Sequence, residues 1–89
     1  MFVSVIHRIT DPDRFFAMAN DAGQNLPPDL RLPQHISSTD RSTTICLWEA
    51  PSVERVREFL EPLTAGICKN EYAQVDAGLS AGLPTTTLA

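Results

Sequence analysis

Three residues in this chain are of the types that ligate soft or borderline metals or move protons: His7, His35 and Cys46. Two imidazoles and a thiolate suit a divalent ion such as nickel, zinc or copper, but no short ligand spacing ties them together. The same residues read as polar lining, with hydrogen-bonded histidine rings and a cysteine acting as a small buried hydrophobe. Trp48 and Tyr72 add large amphipathic aromatics that can stack on a flat organic ligand or fill an interface between chains. Asp76 with His7 makes an acid-base pair for proton abstraction; its other reading is a strand-end residue in solvent. Each chemistry needs these side chains in one place, so the elements that carry them decide.

FVSVIHRI, residues 2–9, is rich in β-branched residues and reads as a strand. A helix follows, with Asp11 as N-cap, Pro12 at the first helical position and Gly23 as a stop; Phe15, Ala19 and Ala22 form its packing side. LRLPQHIS, residues 30–37, reads as an edge strand because Pro33 removes a backbone donor. After a hairpin loop at STDRS comes TTICLWEA, residues 43–50, the strongest strand pattern in the chain. Ser52 caps a second helix with an apolar stripe of Val53, Val56, Phe59, Leu60 and Leu63, bent or ended by Pro62. Its charges, including Arg57 and Glu61, read as a solvated face. EYAQVDA, residues 71–77, reads as the last strand.

The order strand, helix, strand, strand, helix, strand splits into two similar halves, the split βαβ of a ferredoxin-like α+β sandwich. A four-stranded sheet in the order 4, 1, 3, 2 has both helices on one face, with the first and third strands parallel in the middle. Residues 1–77 make this domain, and residues 78–89 make a C-terminal tail that is flexible or reaches a partner through Leu79, Leu83 and Leu88.

Aligning the halves by their caps makes His7 equivalent to Trp48 and Arg8 to Glu49. Alternation then puts Phe2, Ser4, Ile6, Ile45 and Leu47 toward the helices, and Val3, Val5, His7, Thr44, Cys46 and Trp48 on the open face. In the flanking strands Leu30, Leu32, Ile36, Ala73 and Val75 turn to the helices, leaving His35, Tyr72, Gln74 and Asp76 on the open side. A four-residue loop from Thr39 to Ser42 sets His35 opposite Cys46. Arg8 and Glu49 make a structural ion pair at the sheet's mouth. So mixed an open layer is best covered by a second copy of the chain, enclosing a cavity.

Composition narrows the partners. The chain has 89 residues, is 43% hydrophobic and carries a net charge of -4 with a single lysine, Lys69. That suits one small domain whose thin core gains from dimerisation. Clustered positive charge, which phosphate binding requires, is missing, so nucleic acid is disfavoured. The start MFVSVIHRITD has the pattern of neither a signal peptide nor a membrane span, which by default implies cytoplasmic residence. Cys46 and Cys68 read as free thiols.

The whole pattern resembles the dimeric α/β-barrel superfamily, ferredoxin-like proteins whose sheets pair face to face. CLWEAPSVERVREF followed by NEYAQVDA is similar to small bacterial proteins that include nickel-binding, nickel-responsive members. The resemblance implies a homodimer with a cavity that binds a small molecule or a divalent metal such as nickel through His7, His35 and Cys46. For the superfamily's cofactor-independent monooxygenases and isomerases it implies His7 or His35 as a base. A purely structural or interaction module is the third alternative.

Overall fold

The computed structural model describes residues 1–86. Strand β1 (Phe2–Ile9) leads into helix α1 (Pro12–Gln24), followed by β2 (Arg31–Ser37), β3 (Thr43–Glu49), helix α2 (Val53–Thr64) and β4 (Cys68–Gln74). A single 3-10 turn, Ala77–Leu79, comes after β4. The sheet order is β2-β3-β1-β4, and every neighbouring pair is antiparallel. This is the ferredoxin-like α+β sandwich.

Both helices start where their caps dictate. Asp11 accepts a hydrogen bond from the Arg14 amide and precedes Pro12 at the first helical position; Ser52 Oγ accepts from the Arg55 amide at 3.0 Å. Caps of this kind stabilise a helix by about 1 kcal/mol each. Gly23 sits inside the last turn of α1, and the cap is Asn25. Nor does Pro62 stop α2, which runs two residues past it to Thr64.

The central pair β1 and β3 is antiparallel, not parallel. The helical crossover returns β2 in the direction of β1, and the tight β2–β3 hairpin then reverses β3 between them. Glu49 therefore lies opposite Phe2 while Arg8 lies opposite Thr43, at the other end. Arg8 and Glu49 are not an ion pair. Arg8 bonds Glu71 at 2.7 Å, both exposed, and the buried Glu49 takes Arg31 at 2.8 Å.

The sheet also presents the opposite faces from those the apolar pattern suggests. Val3, Val5, His7, Thr44, Cys46 and Trp48 are all buried, with Val56 and Leu60 of α2 in the same core. Ile45 and Ile36 stand 47% and 66% exposed on the other side. The physical reason lies in β1 and β3: both of their faces are apolar, so alternation fixes which residues share a face without fixing which face is covered. A face that includes His7 and Thr44 can be buried because their polar atoms find partners there, Asn70 and Ser37 respectively.

Two local irregularities complete the frame. In β2 the register slips by one residue between Arg31 and Gln34, around Pro33. This bulge leaves Leu32 and His35 on the same side and Ile36 on the other. At the far edge, β4 begins at Cys68, three residues before the strand that the sequence pattern suggests, after the turn at Gly66 with φ +75°. The inward residues of β4 are consequently Asn70 and Tyr72, paired with His7 and Val5. No helix among the described residues is long and apolar enough to cross a membrane. Leu79 is exposed; Leu88 lies outside the described residues.

Candidate functional site

Between the covered face of the sheet and α1 lies a cavity of about 420 Å3. Its floor is buried: His7 and Phe15, with Thr44, Cys46 and Trp48 of β3 and Leu60 of α2. Its rim is exposed and polar, formed by Asn20 and Gln24 on α1 and by His35 and Ser37 on β2. No Lys, Arg, Asp or Glu lines it. Walls of this kind suit an uncharged, mostly apolar molecule.

The hairpin brings His35 directly opposite Cys46, as the loop length implies. His7, His35, Cys46 and Trp48 all line this one cavity. They do so beneath the helices rather than on the open face, and that placement is the main correction to the sequence reading. Tyr72 also faces the helices but lies outside the lining, with its hydroxyl on Glu61 of α2 at 2.6 Å. Asp76 is elsewhere: it follows β4, caps the 3-10 turn and accepts from the Gly78 amide. Since Asn70 is the residue opposite His7, Asp76 is six positions away and forms no acid-base pair with it.

His7 is held by a polar cluster that the sequence reading did not identify. Its Nδ1 lies 2.6 Å from Asn70 Oδ1. Asn70 Nδ2 lies 2.8 Å from Glu61 Oε2 and 2.9 Å from Thr64 Oγ1. A carboxylate only accepts, and the Thr64 hydroxyl donates to the Leu60 carbonyl. The amide nitrogen must therefore face that pair, and Oδ1 must face His7. His7 Nδ1 is then the donor, and Nε2 is left as a bare acceptor on a residue that lines the cavity. Burial pulls the His7 pKa below its usual 6.5, against the opposing pull of Asn70 and Glu61, so the ring is neutral near pH 7. The Cys68 thiol also reaches Asn70 Oδ1, at 3.1 Å.

Glu61 is no mere solvated charge, since the Tyr72 hydroxyl and Asn70 hold its carboxyl below the usual range. Arg57, its neighbour on the helix, sits 4.9 Å above the Tyr72 ring. Both were legible only as a charged stripe. Asn70 gave no signal at all, because an asparagine in a short polar strand reads as surface.

Metal chemistry does not fit these residues. Among the described residues no group of three or more His, Cys, Asp or Glu is placed to hold an ion. Burial pushes the Cys46 thiol up to about 12, so in the metal-free chain it stays protonated at neutral pH. Cys46 and Cys68 are both free thiols.

One floor residue carries an unmet demand. Trp48 is 3% exposed, packs edge-on to Phe59 at 5.9 Å, and its Nε1–H has no partner. It is the only such buried side-chain polar atom among the described residues. A buried donor left without an acceptor costs about 1–3 kcal/mol, so natural proteins rarely leave one. No protein-family model matches the chain, and no curated protein or solved structure does either.

Proposed function

We propose that this chain is a small-molecule-binding domain that takes an uncharged, largely apolar ligand in the cavity beneath α1 and dimerises through its open sheet face. The observation that carries the ligand reading is the cavity itself: about 420 Å3, with an apolar floor, an exposed polar rim and no charged lining. Cores are otherwise packed with few voids larger than a water molecule. The dimer reading rests on Ile36 and Ile45, cross-strand neighbours left largely exposed on the face the helices do not cover.

The neutral fluorophore N-phenyl-1-naphthylamine tests the cavity. Its fluorescence should rise saturably with one site per chain, and the lone Trp48 on the cavity floor should be quenched in parallel. Ala19→Phe, which fills the cavity from α1, should abolish both signals while leaving the fold intact by circular dichroism. No saturable binding to the native chain would reject the reading.

A proton-transfer role is a second reading, favoured by one observation. His7 presents a neutral ring whose Nδ1–H is fixed by Asn70, the arrangement of a general base acting through Nε2. Turnover of a bound ligand that disappears in His7→Gln, with binding retained, would support it.

A further inference from the structure

The cavity floor is graded along the strands. The register places His7 of β1, Thr44 of β3 and Ser37 of β2 in one row across the sheet, and all three line the cavity. The Ser37 and Thr44 hydroxyls pair at 2.7 Å. Two residues along β3 comes Cys46, a small buried hydrophobe, and two further comes Trp48, opposite Val3. The floor is therefore polar at the His7 row and apolar toward Trp48. Only one nitrogen of His7 is used by the protein. Nδ1–H goes to Asn70 of β4, and the two ring nitrogens of an imidazole point nearly opposite ways, so Nε2 faces away from Asn70. Nε2 makes no hydrogen bond among the described residues, and it is not sealed as Trp48 Nε1 is, so an atom the size of a water oxygen can reach it. His7 is 2% exposed overall and lines the cavity, so that access is from the cavity. With the ring neutral near pH 7, Nε2 offers a lone pair and no proton.

From this geometry we infer that the ligand is a neutral ring compound bearing a hydroxyl, bound with that hydroxyl donating to His7 Nε2 and its apolar body over Cys46 and Trp48. This inference rests on the cavity reading above and adds the ligand's functional group and direction to it. A ligand carrying only acceptors would set a lone pair against the lone pair of His7. A bare hydrocarbon would strip water from Nε2 and put nothing in its place, which costs a hydrogen bond. An anionic ligand is disfavoured because no cation lines the cavity to offset the loss of its hydration.

Calorimetry at neutral pH with 2-naphthol as the probe tests this. It should bind about tenfold more tightly than 2-methylnaphthalene, which matches its shape without the hydroxyl, and about tenfold more tightly than 2-methoxynaphthalene, which lacks the donor. Nitrogen-15 NMR of the native chain reads the contact itself: the unprotonated His7 Nε2 resonance should move with 2-naphthol and stay in place with 2-methylnaphthalene. Proton–proton Overhauser contacts should join the far ring of the naphthol to Trp48, and the reverse orientation would overturn the direction. His7→Phe, which removes the acceptor, should bind 2-naphthol and 2-methylnaphthalene alike. Equal affinity of the native chain for all three probes would overturn the hydroxyl recognition while leaving the cavity reading standing. A hydroxyl preference with an unmoved Nε2 resonance, or one that survives in His7→Phe, would overturn the role given to His7. Failure of all three probes, together with N-phenyl-1-naphthylamine, would reject both readings. The affinity comparison and the NMR need no variant, so they hold even if a substituted chain misfolds.

Discussion

At His7 burial and hydrogen bonding pull the proton in opposite directions, and burial has the larger effect. The unfolded chain therefore takes up a proton at higher pH than the folded one does. Wherever the unfolded state binds more protons, stability rises with pH. For His7 this means stability should be level above about pH 7 and should fall as pH drops below 6.5 toward the lowered folded value. One proton limits the slope to about 1.4 kcal/mol per pH unit. Urea denaturation between pH 5 and 8 checks it, and His7→Gln should flatten the curve. The carboxyls held low act in a separate window. Tyr72 and Asn70 hold Glu61 low, and the Ser38 and Ser42 hydroxyls take Asp40 to about 2, so their contributions fade only in the acid range. Asn70 gives a second prediction at this scale. Its amide joins β1, β4 and α2 through His7, Glu61, Thr64 and Tyr72. Asn70→Ala should cost about 2–4 kcal/mol by leaving several of these groups unpaired. It should also lower the His7 pKa further, a shift that NMR titration of the ring reads directly.

At the scale of elements, what the sequence made legible followed from strong local signals. The two caps, the apolar stripe on α2 and the length of the hairpin loop placed both helices and set His35 against Cys46. Where the signals were weak or two-sided the reading failed. β1 and β3 are apolar on both faces, so the buried face could not be read from them alone. β4 gains its inward side chains through hydrogen bonds rather than hydrophobicity, and its start was therefore missed. The bulge at Pro33 changes parity within one strand, which no alternation rule anticipates. The same bulged strand begins with a contact that can be tested. Arg31 bonds the 2% exposed carboxylate of Glu49 and also donates through Nη2 to the Thr85 carbonyl at 3.0 Å. It thus ties β2, β3 and the C-terminal segment together. Arg31→Ala should cost about 2–3 kcal/mol in urea denaturation, less than the roughly 3–5 of a fully buried pair, because Arg31 keeps 30% of its side chain in solvent. Hydrogen exchange should quicken in residues 77–86 at the same time.

For the molecule as a whole, one sheet serves two surfaces with separate consequences. The covered face holds the cavity, and the open face leaves Ile36 and Ile45 opposite each other in the register, with Ile6 beside Ile45 on β1. At 66% and 47% exposure the first two form the centre of an apolar strip, with two ion pairs on the same face, Arg8 with Glu71 and Arg31 with Glu49, and the exposed Lys69 opposite Arg8. A two-fold axis through such a strip would bring like residues together and bury them, which is how self-complementary interfaces form. The native chain should therefore run as a dimer at micromolar concentration by light scattering. The double variant Ile36→Glu, Ile45→Glu should run as a monomer, since four buried carboxylates cannot be accommodated without partners. Because the cavity lies on the other side of the sheet, the monomeric variant should still bind N-phenyl-1-naphthylamine with little change. Loss of binding on dissociation would mean that the cavity's shape depends on the partner chain. A native monomer would remove the dimer reading and leave the ligand reading to stand or fall by its own test.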